Sequence, residues 1–201
     1  MPPDRRQTMN YNTAAFTAAY GTSEQLPPSE HPEVAFAGRS NVGKSSLLNK
    51  LFNRKALAKV SSVPGKTSTI NFFSVENVDF VDLPGYGFAK VAKSEKARWS
   101  ELIEGYFNQE RRFALVVSLI DIRHPATDLD IGMVEFLSEA GLPFVIALTK
   151  ADKLSNMQRG KQMAALRKQL RLPKDQTVIP CSAEKGIGID ELRKFIEEAC
   201  R

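Results

Sequence analysis

Residues 34–52 read VAFAGRSNVGKSSLLNKLF, an apolar run, a glycine-bounded loop and a helical pattern in direct succession. The loop from Gly38 fits G-x-x-x-x-G-K-[ST], and its place between a strand and a helix gives the match its meaning. Gly38 and Gly43 let the backbone curl so that the N–H groups of Arg39, Ser40, Asn41 and Val42 face a polyphosphate. The helix opening at Ser45 adds the positive end of its dipole. Lys44 is predicted to reach the β and γ phosphates, and the Ser45 hydroxyl to hold Mg²⁺, a hard cation suited to oxygen ligands.

Outward from this loop, short apolar runs alternate with helical patterns: VAFAG, INFFSV, VDFVDL, FALVVSLID, LPFVIALT and the brief TVIP. Continuous runs rich in Val, Ile and Phe read as strands buried on both faces of a mainly parallel sheet. The SVENVDF junction around Asn77 predicts an antiparallel hairpin. Helical spacing places Trp99, Leu102, Ile103, Tyr106 and Phe107 in the core, with Leu129, Met133, Phe136 and Leu137, and with Leu192, Phe195, Ile196 and Ala199. The class implied is α/β, a three-layer fold with helices on both faces and ligands at the carboxyl ends of the strands. Residues 1–32 lack sustained periodicity and end in LPPSEHP, so they read as a loosely ordered extension and linker before a domain spanning 33–201. An Arg-containing targeting peptide is the alternative for the first twenty residues.

VDFVDLPG (78–85) ends its apolar run in an acid. A strand beside the phosphate strand that ends in a carboxylate is where a nucleotide-bound magnesium is held, here by Asp82 through a water. Leu83 and Pro84 follow, and Gly85 is expected to bring its backbone N–H to the γ-phosphate. By itself DLPG is an ordinary turn; after a phosphate loop it takes this second reading. IALTKADK supplies a base reader, because the Asp152 carboxylate accepts from both guanine N1–H and its exocyclic amine, a pair adenine does not present. Thr149, Lys150 and Ala151 precede it, with the Lys150 stem predicted to lie across the ring. In PCSAEKG, Ser182 and the Ala183 N–H are placed to meet guanine O6, with Cys181 beside them in the nucleotide site.

With 42% apolar and 25% charged residues, the 201-residue chain is long enough for one full core. Cys181 and Cys200, far apart with no secretory leader, indicate a reducing compartment. No run approaches a membrane span. The net charge is +5, and Lys50 to Arg98 carries nine Lys or Arg against four Asp or Glu, so the remainder is balanced in sum. Such a local excess predicts either a solvated face or a nucleic-acid partner.

Five ordered motifs, GRSNVGKS, PGKTSTINFF, DLPGYGFAKV, TKAD and CSA, together with DIRH from Asp121, resemble the EngB ribosome-biogenesis GTP-binding proteins within the translation-factor-like GTPases. The resemblance covers Val34 to the C-terminus. It implies a Ras-like P-loop GTPase fold, a mostly parallel sheet with one antiparallel strand, and a cytoplasmic, monomeric GTP/GDP switch. Its implied partners are the large ribosomal subunit and its rRNA, with no membrane association, and it implies a link to cell division and septation. It assigns Thr67 of PGKT to the magnesium shell with Ser45, and Gly65, Lys66, Ser68 and Thr69 to the surrounding switch. Asn41 matches a position that holds K⁺ in some bacterial GTPases, although bracing of the loop is the favoured reading.

Two departures stand out. Thr149 replaces the usual asparagine of the base motif, and Tyr86 stands where many GTPases carry the glutamine that orients water. No catalytic residue is therefore assigned beyond support of the transition state by Lys44 and Thr67, and slow hydrolysis, accelerated by a partner or cation, is expected. The competing readings are a small-molecule kinase or ATPase, which TKAD and CSA oppose, and a nucleotide-binding scaffold without hydrolysis.

Overall fold

The structure is a computed structural model that describes residues 8–58, 69–87 and 93–201, the side chains of 93–96 excepted. Seven strands form one sheet: β1 (Ala15–Tyr20), β2 (Glu33–Gly38), β3 (Ile70–Val75), β4 (Val78–Asp82), β5 (Phe113–Asp121), β6 (Phe144–Thr149) and β7 (Val178–Pro180). Their order is β1-β3-β4-β2-β5-β6-β7. Only β3 runs against the others, pairing antiparallel with β1 and with β4. The hairpin between β3 and β4 forms as predicted, and its left-handed residue is Glu76, with φ of 53°.

The five helices are α1 (Lys44–Leu51), α2 (Lys93–Phe107), α3 (Asp128–Glu139), α4 (Asn156–Gln169) and α5 (Ile189–Ala199). Strand alternation assigns them to faces. Val34 and Phe36 of β2 pack with α1 and α5, whereas Ala35 and Ala37 pack with α2 and α3. Every residue of β2 is buried, which explains why it reads as an unbroken apolar run. On the first face Phe36, Phe52, Phe73 and Phe80 form an aromatic cluster with centroids 5.3–6.0 Å apart, and each buried ring stabilises the sheet–helix contact by roughly 1.5–3 kcal/mol.

Two expectations change, and one helix has no apolar pattern to announce it. Residues 15–20, assigned to a loose extension, form the edge strand β1: Tyr20 and Phe16 lie edge-on against Phe72 and Phe73, and Thr17 donates to the Phe72 carbonyl. The segment that follows is held by Arg111, whose guanidinium pairs with buried Glu33 and donates to the Pro27 carbonyl. Leu129, assigned to the core, is 49% exposed. Helix α4 forms without a strong apolar stripe, anchored by Leu166 and Leu170 against Ile146 and Leu148.

The sheet order places the site. β2 lies between β4, which follows it in the chain on one side, and β5 on the other, both parallel to it. The chain changes direction across the sheet there, so a crevice opens beyond the carboxyl end of β2. No helix among the described residues is long and apolar enough to cross a membrane.

Candidate functional site

The loop leaving β2 turns through Asn41 (φ 61°) and Gly43 (φ 102°) into α1. A glycine at the second position removes the Cβ clash of that left-handed conformation. The first-turn N–H groups of α1 thereby face the crevice rather than a capping side chain. Asp82, at the end of β4, sits opposite Phe36 in the neighbouring strand, and its carboxylate pairs with the Lys44 ammonium, both side chains being about nine-tenths buried. The predicted phosphate lysine and magnesium carboxylate therefore share one small volume. Ser45 stands half-buried beside them on the first turn of α1.

Leu83 and Pro84 are buried, and the Leu83 N–H continues the ladder to the Phe36 carbonyl at 3.1 Å. At Gly85 a Cβ would lie 3.2–3.3 Å from backbone atoms of Ser40. This glycine thus has a reason beyond the predicted phosphate contact: a side chain here would press the Ser40 backbone back by a few tenths of an ångström. The Ser40 N–H and hydroxyl both donate to the Tyr86 carbonyl, at 2.8 and 3.2 Å. The phosphate loop and the 83–87 segment are consequently one hydrogen-bonded unit.

The Tyr86 side chain turns away from this crevice. It is buried, and its hydroxyl has no hydrogen-bond partner among the described residues. Burial, and after it the Asp130 carboxylate, raise the phenol's pKa against the opposing effect of the Arg39 guanidinium. Arg39 likewise points outward, 3.9 Å from Asp130 at the start of α3, so only its backbone remains with the loop. Leu129 leaves the core to lie against Gly87 on the same side. Because the buried hydroxyl makes no bond, Tyr86→Phe is expected to leave the melting temperature unchanged or raise it by about 2–4 °C. A tenfold fall in single-turnover hydrolysis in that variant would instead make the hydroxyl a participant in the chemistry.

The base-reading candidates assemble at the ends of β6 and β7. Thr149 donates its hydroxyl to the Val42 carbonyl at 2.6 Å, so this residue braces the phosphate loop from behind. Lys150, in a left-handed conformation with φ of 61°, extends across to the Asn41 carbonyl at 2.9 Å and to Asp121 at 3.0 Å. Asp121 had no predicted role. Its burial opposes ionisation, but hydrogen bonds from Arg123 and Lys150 hold its pKa at about 2, so it is an anion that fixes the Lys150 stem. The signal that marked Asp82, an acid closing a buried strand, marks Asp121 as well.

The Ala151 N–H donates to the Cys181 carbonyl at 3.0 Å, and the Cys181 N–H to Leu148 at 2.7 Å, which joins the two motifs through backbone. Cys181 is a buried free thiol, pushed up to about 12 by burial, and Cys200 is also free. Ser182 is buried; its hydroxyl bond, with Lys153 at 2.9 Å, keeps Asp152 ionised below its ordinary pKa. Ala183 follows, half-buried. Thr69 bonds Asn71 at 2.9 Å just before β3. Gly65, Lys66, Thr67 and Ser68 lie outside the described residues, as does Lys90.

A family model described as 50S ribosome-binding GTPase matches residues 33–150. The probable GTP-binding protein EngB of Desulforamulus reducens is 51% identical over 94% of each chain. This chain belongs to the EngB family of GTP-binding proteins. An EngB relative from Syntrophomonas wolfei is 47% identical over 92% of this chain and 95% of its own. The crystal structure of a probable GTP-binding protein engB superposes with a TM-score of 0.69 at 27% identity, covering 84% of this chain and 98% of that one. The fold is accordingly that of the P-loop GTPases, and EngB membership makes this a GTP-binding chain of a GTPase family.

Proposed function

We propose that the protein is a slow, Mg²⁺-dependent GTP-hydrolysing switch of the cytoplasm, monomeric, that assists assembly of the large ribosomal subunit and is thereby needed for normal division and septation. The observation that carries the nucleotide part is the pair of hydrogen bonds from Thr149 and Lys150, which tie the base-reading segment to the phosphate loop. A phosphate group and a base bound at the two ends are then held at one fixed separation. Asp152, ionised and flanked by Ser182, accepts from the guanine edge; Ser182 and the Ala183 N–H meet O6, and Cys181 holds that turn through its backbone bonds to Leu148 and Ala151. Lys44 meets the β and γ phosphates, with Arg39 to Gly43 contributing backbone N–H groups.

The donors beside Lys44, the Ser45 hydroxyl and the Asp82 carboxylate, are oxygen ligands of the type Mg²⁺ takes. Ser45, Thr67 and, through a water, Asp82 would hold Mg²⁺, which would neutralise charge on the phosphates. Leu83 to Gly85 and, by the family resemblance, Gly65 to Thr69 are the segments assigned to sensing the γ-phosphate. Slow turnover is supported by the burial of Tyr86, which leaves no side chain of that position to orient water. The Asn41 carbonyl already accepts from Lys150, which supports bracing over a K⁺ site; equal hydrolysis in potassium and sodium buffers is the matching result.

The ribosomal part draws on the description of the matching family, and the basic excess from Lys50 to Arg98 is in keeping with an RNA partner. Co-sedimentation with purified subunits tests it: retention on the large subunit with a GTP analogue, and weaker retention with GDP, is expected. Binding that ignores nucleotide, salt and substitution of Lys90, Lys93 and Lys96 would remove the switch. Phosphate release that stays at zero with and without subunits would favour a scaffold, the reading that buried Tyr86 keeps in view.

A further inference from the structure

Helix α4 carries a charge pattern that neither the nucleotide site nor its own stability explains. Residues 154–174 contain Arg159, Lys161, Arg167, Lys168, Arg171 and Lys174 and no Asp or Glu, a formal +6 in a chain of net +5. A helix stabilised by its own charges carries acids in the first turn. α3 has Asp128 and Asp130 there and α5 has Asp190 and Glu191, whereas α4 has none. Arg167 and Lys168 in its last turn suit the dipole; Arg159 and Lys161, near the positive end, oppose it.

Two of the six are tied down locally. Arg159 bonds Asn156 at 2.6 Å, and Arg167 reaches the Pro173 and Gln176 carbonyls at 3.2 and 2.5 Å. The other four are exposed. Lys161, Lys168 and Lys174 make no ion pair with any described residue, and Arg171 has only an exposed contact with Glu135 at 3.8 Å, worth little in water. Positions 157, 161, 164 and 168 recur at helical spacing on α4, so Lys161 and Lys168 share one row with exposed Ala164 leaving room between them, and exposed Arg171 lies just past the end of the helix. Lys161 and Lys168 stand about 10 Å apart along the axis.

The row is also rigidly mounted. Leu166 and Leu170 are buried beneath it, Gln162 donates to the His124 carbonyl at 3.1 Å, and Gln169 accepts from the Ala126 N–H at 2.9 Å. A protein partner would want a central apolar or aromatic anchor. This face offers Met157 alone, 84% exposed, whereas point charges on long stems suffice for a phosphate backbone.

We propose that the outer face of α4 is an RNA-backbone docking surface that acts in both nucleotide states, since it is built on a helix packed against α3 and β6 and not on the phosphate-sensing segments. The proposal rests on the ribosomal reading only in taking the RNA to be ribosomal.

The test compares the full-length wild type with a Lys161→Glu, Lys168→Glu, Arg171→Glu variant, using a fluorescein-labelled 20-base-pair RNA hairpin and, separately, purified large subunits. Both are titrated from about 50 to 200 mM KCl with a GTP analogue and with GDP. The variant is expected to bind the hairpin about tenfold or more weakly in both states and to lose about two to three from the slope of log K against log salt. Its affinity for the GTP analogue, matching wild type, reports that it is folded, and a variant with Lys161→Arg and Lys168→Arg should keep RNA binding.

Unchanged hairpin affinity and slope in the charge-reversed variant, or no hairpin binding by wild type, overturns the proposal. Loss of large-subunit binding with intact hairpin binding also overturns it, in favour of an acidic ribosomal protein. GTP-dependent co-sedimentation of wild type alongside any of these leaves the switch reading intact. Hairpin binding through α4 without co-sedimentation removes the ribosomal reading and keeps the surface.

Discussion

Replacing Asp152 by asparagine is expected to lower GTP affinity by about 100-fold or more while raising affinity for xanthosine triphosphate. The carboxylate stands beside Ser182 and Lys153 and is held ionised. It can accept two hydrogen bonds, which matches the two donors on the guanine edge. An amide has one acceptor and one donor group, so its NH₂ would face the guanine amine and leave both unpaired. A lost charge-assisted hydrogen bond costs about 1.5–3 kcal/mol, and the unsatisfied donors add a further penalty. Xanthine carries a carbonyl in place of that amine and suits the amide. Fluorescent-nucleotide titrations of both triphosphates measure the exchange; GTP affinity within threefold of wild type would mean that Asp152 does not read the base. Lys44 and Thr149 are untouched in this variant, so phosphate binding by the loop should be retained.

Glu33→Ala should be the most damaging of the substitutions away from the nucleotide. Glu33 is fully buried at the start of β2 and accepts from the Arg111 guanidinium at 2.7 Å and from the Tyr106 hydroxyl at 2.8 Å. The guanidinium also lies 5.3 Å from the Tyr106 ring centroid and 5.7 Å from that of Phe72. Removing the carboxylate leaves a cation almost out of water with only carbonyl and amide partners. The expected loss is about 3–5 kcal/mol, a fall in melting temperature of roughly 6–20 °C for a chain of this size. The double variant Glu33→Leu, Arg111→Met should recover much of it, because an apolar pair replaces a pair whose net contribution is small. Equal losses in the single and double variants would show that the unpaired Arg111 cation is not the source of the loss. GTP affinity per folded molecule should not change, since the network lies at the opposite end of β2 from the phosphate loop.

The legible parts of this protein were those in which function constrains the local backbone. A loop that turns N–H groups toward phosphate needs glycine at Gly43, a lysine and a hydroxyl in fixed order, and an acid must close a strand beside it, as Asp82 does. Strands buried on both faces betray themselves as largely apolar runs whichever way they run, which is why β2 to β7 are all legible. β1 was not, because an edge strand exposes most of its residues: Phe16 is 52% exposed, and its pairing with β3 is visible only when the two are side by side. α4 escaped because an exposed helix covered in cations has no pronounced apolar stripe. The charge balance outside Lys50 to Arg98 also conceals it, since the +6 of residues 154–174 is cancelled by acids elsewhere in the chain.

From the sequence alone came the fold class, the phosphate loop, the acid at Asp82, and the family to which the chain belongs, since each depends on residue types at fixed short spacing. Tertiary structure decided where side chains go once distant segments meet. It turned Tyr86 and Arg39 outward toward Asp130, gave the Thr149 hydroxyl to the Val42 carbonyl, and set Asp121 beneath Lys150. These choices follow from burial and from the hydrogen-bond partners that the sheet order brings within reach, and a linear pattern carries no record of such neighbours.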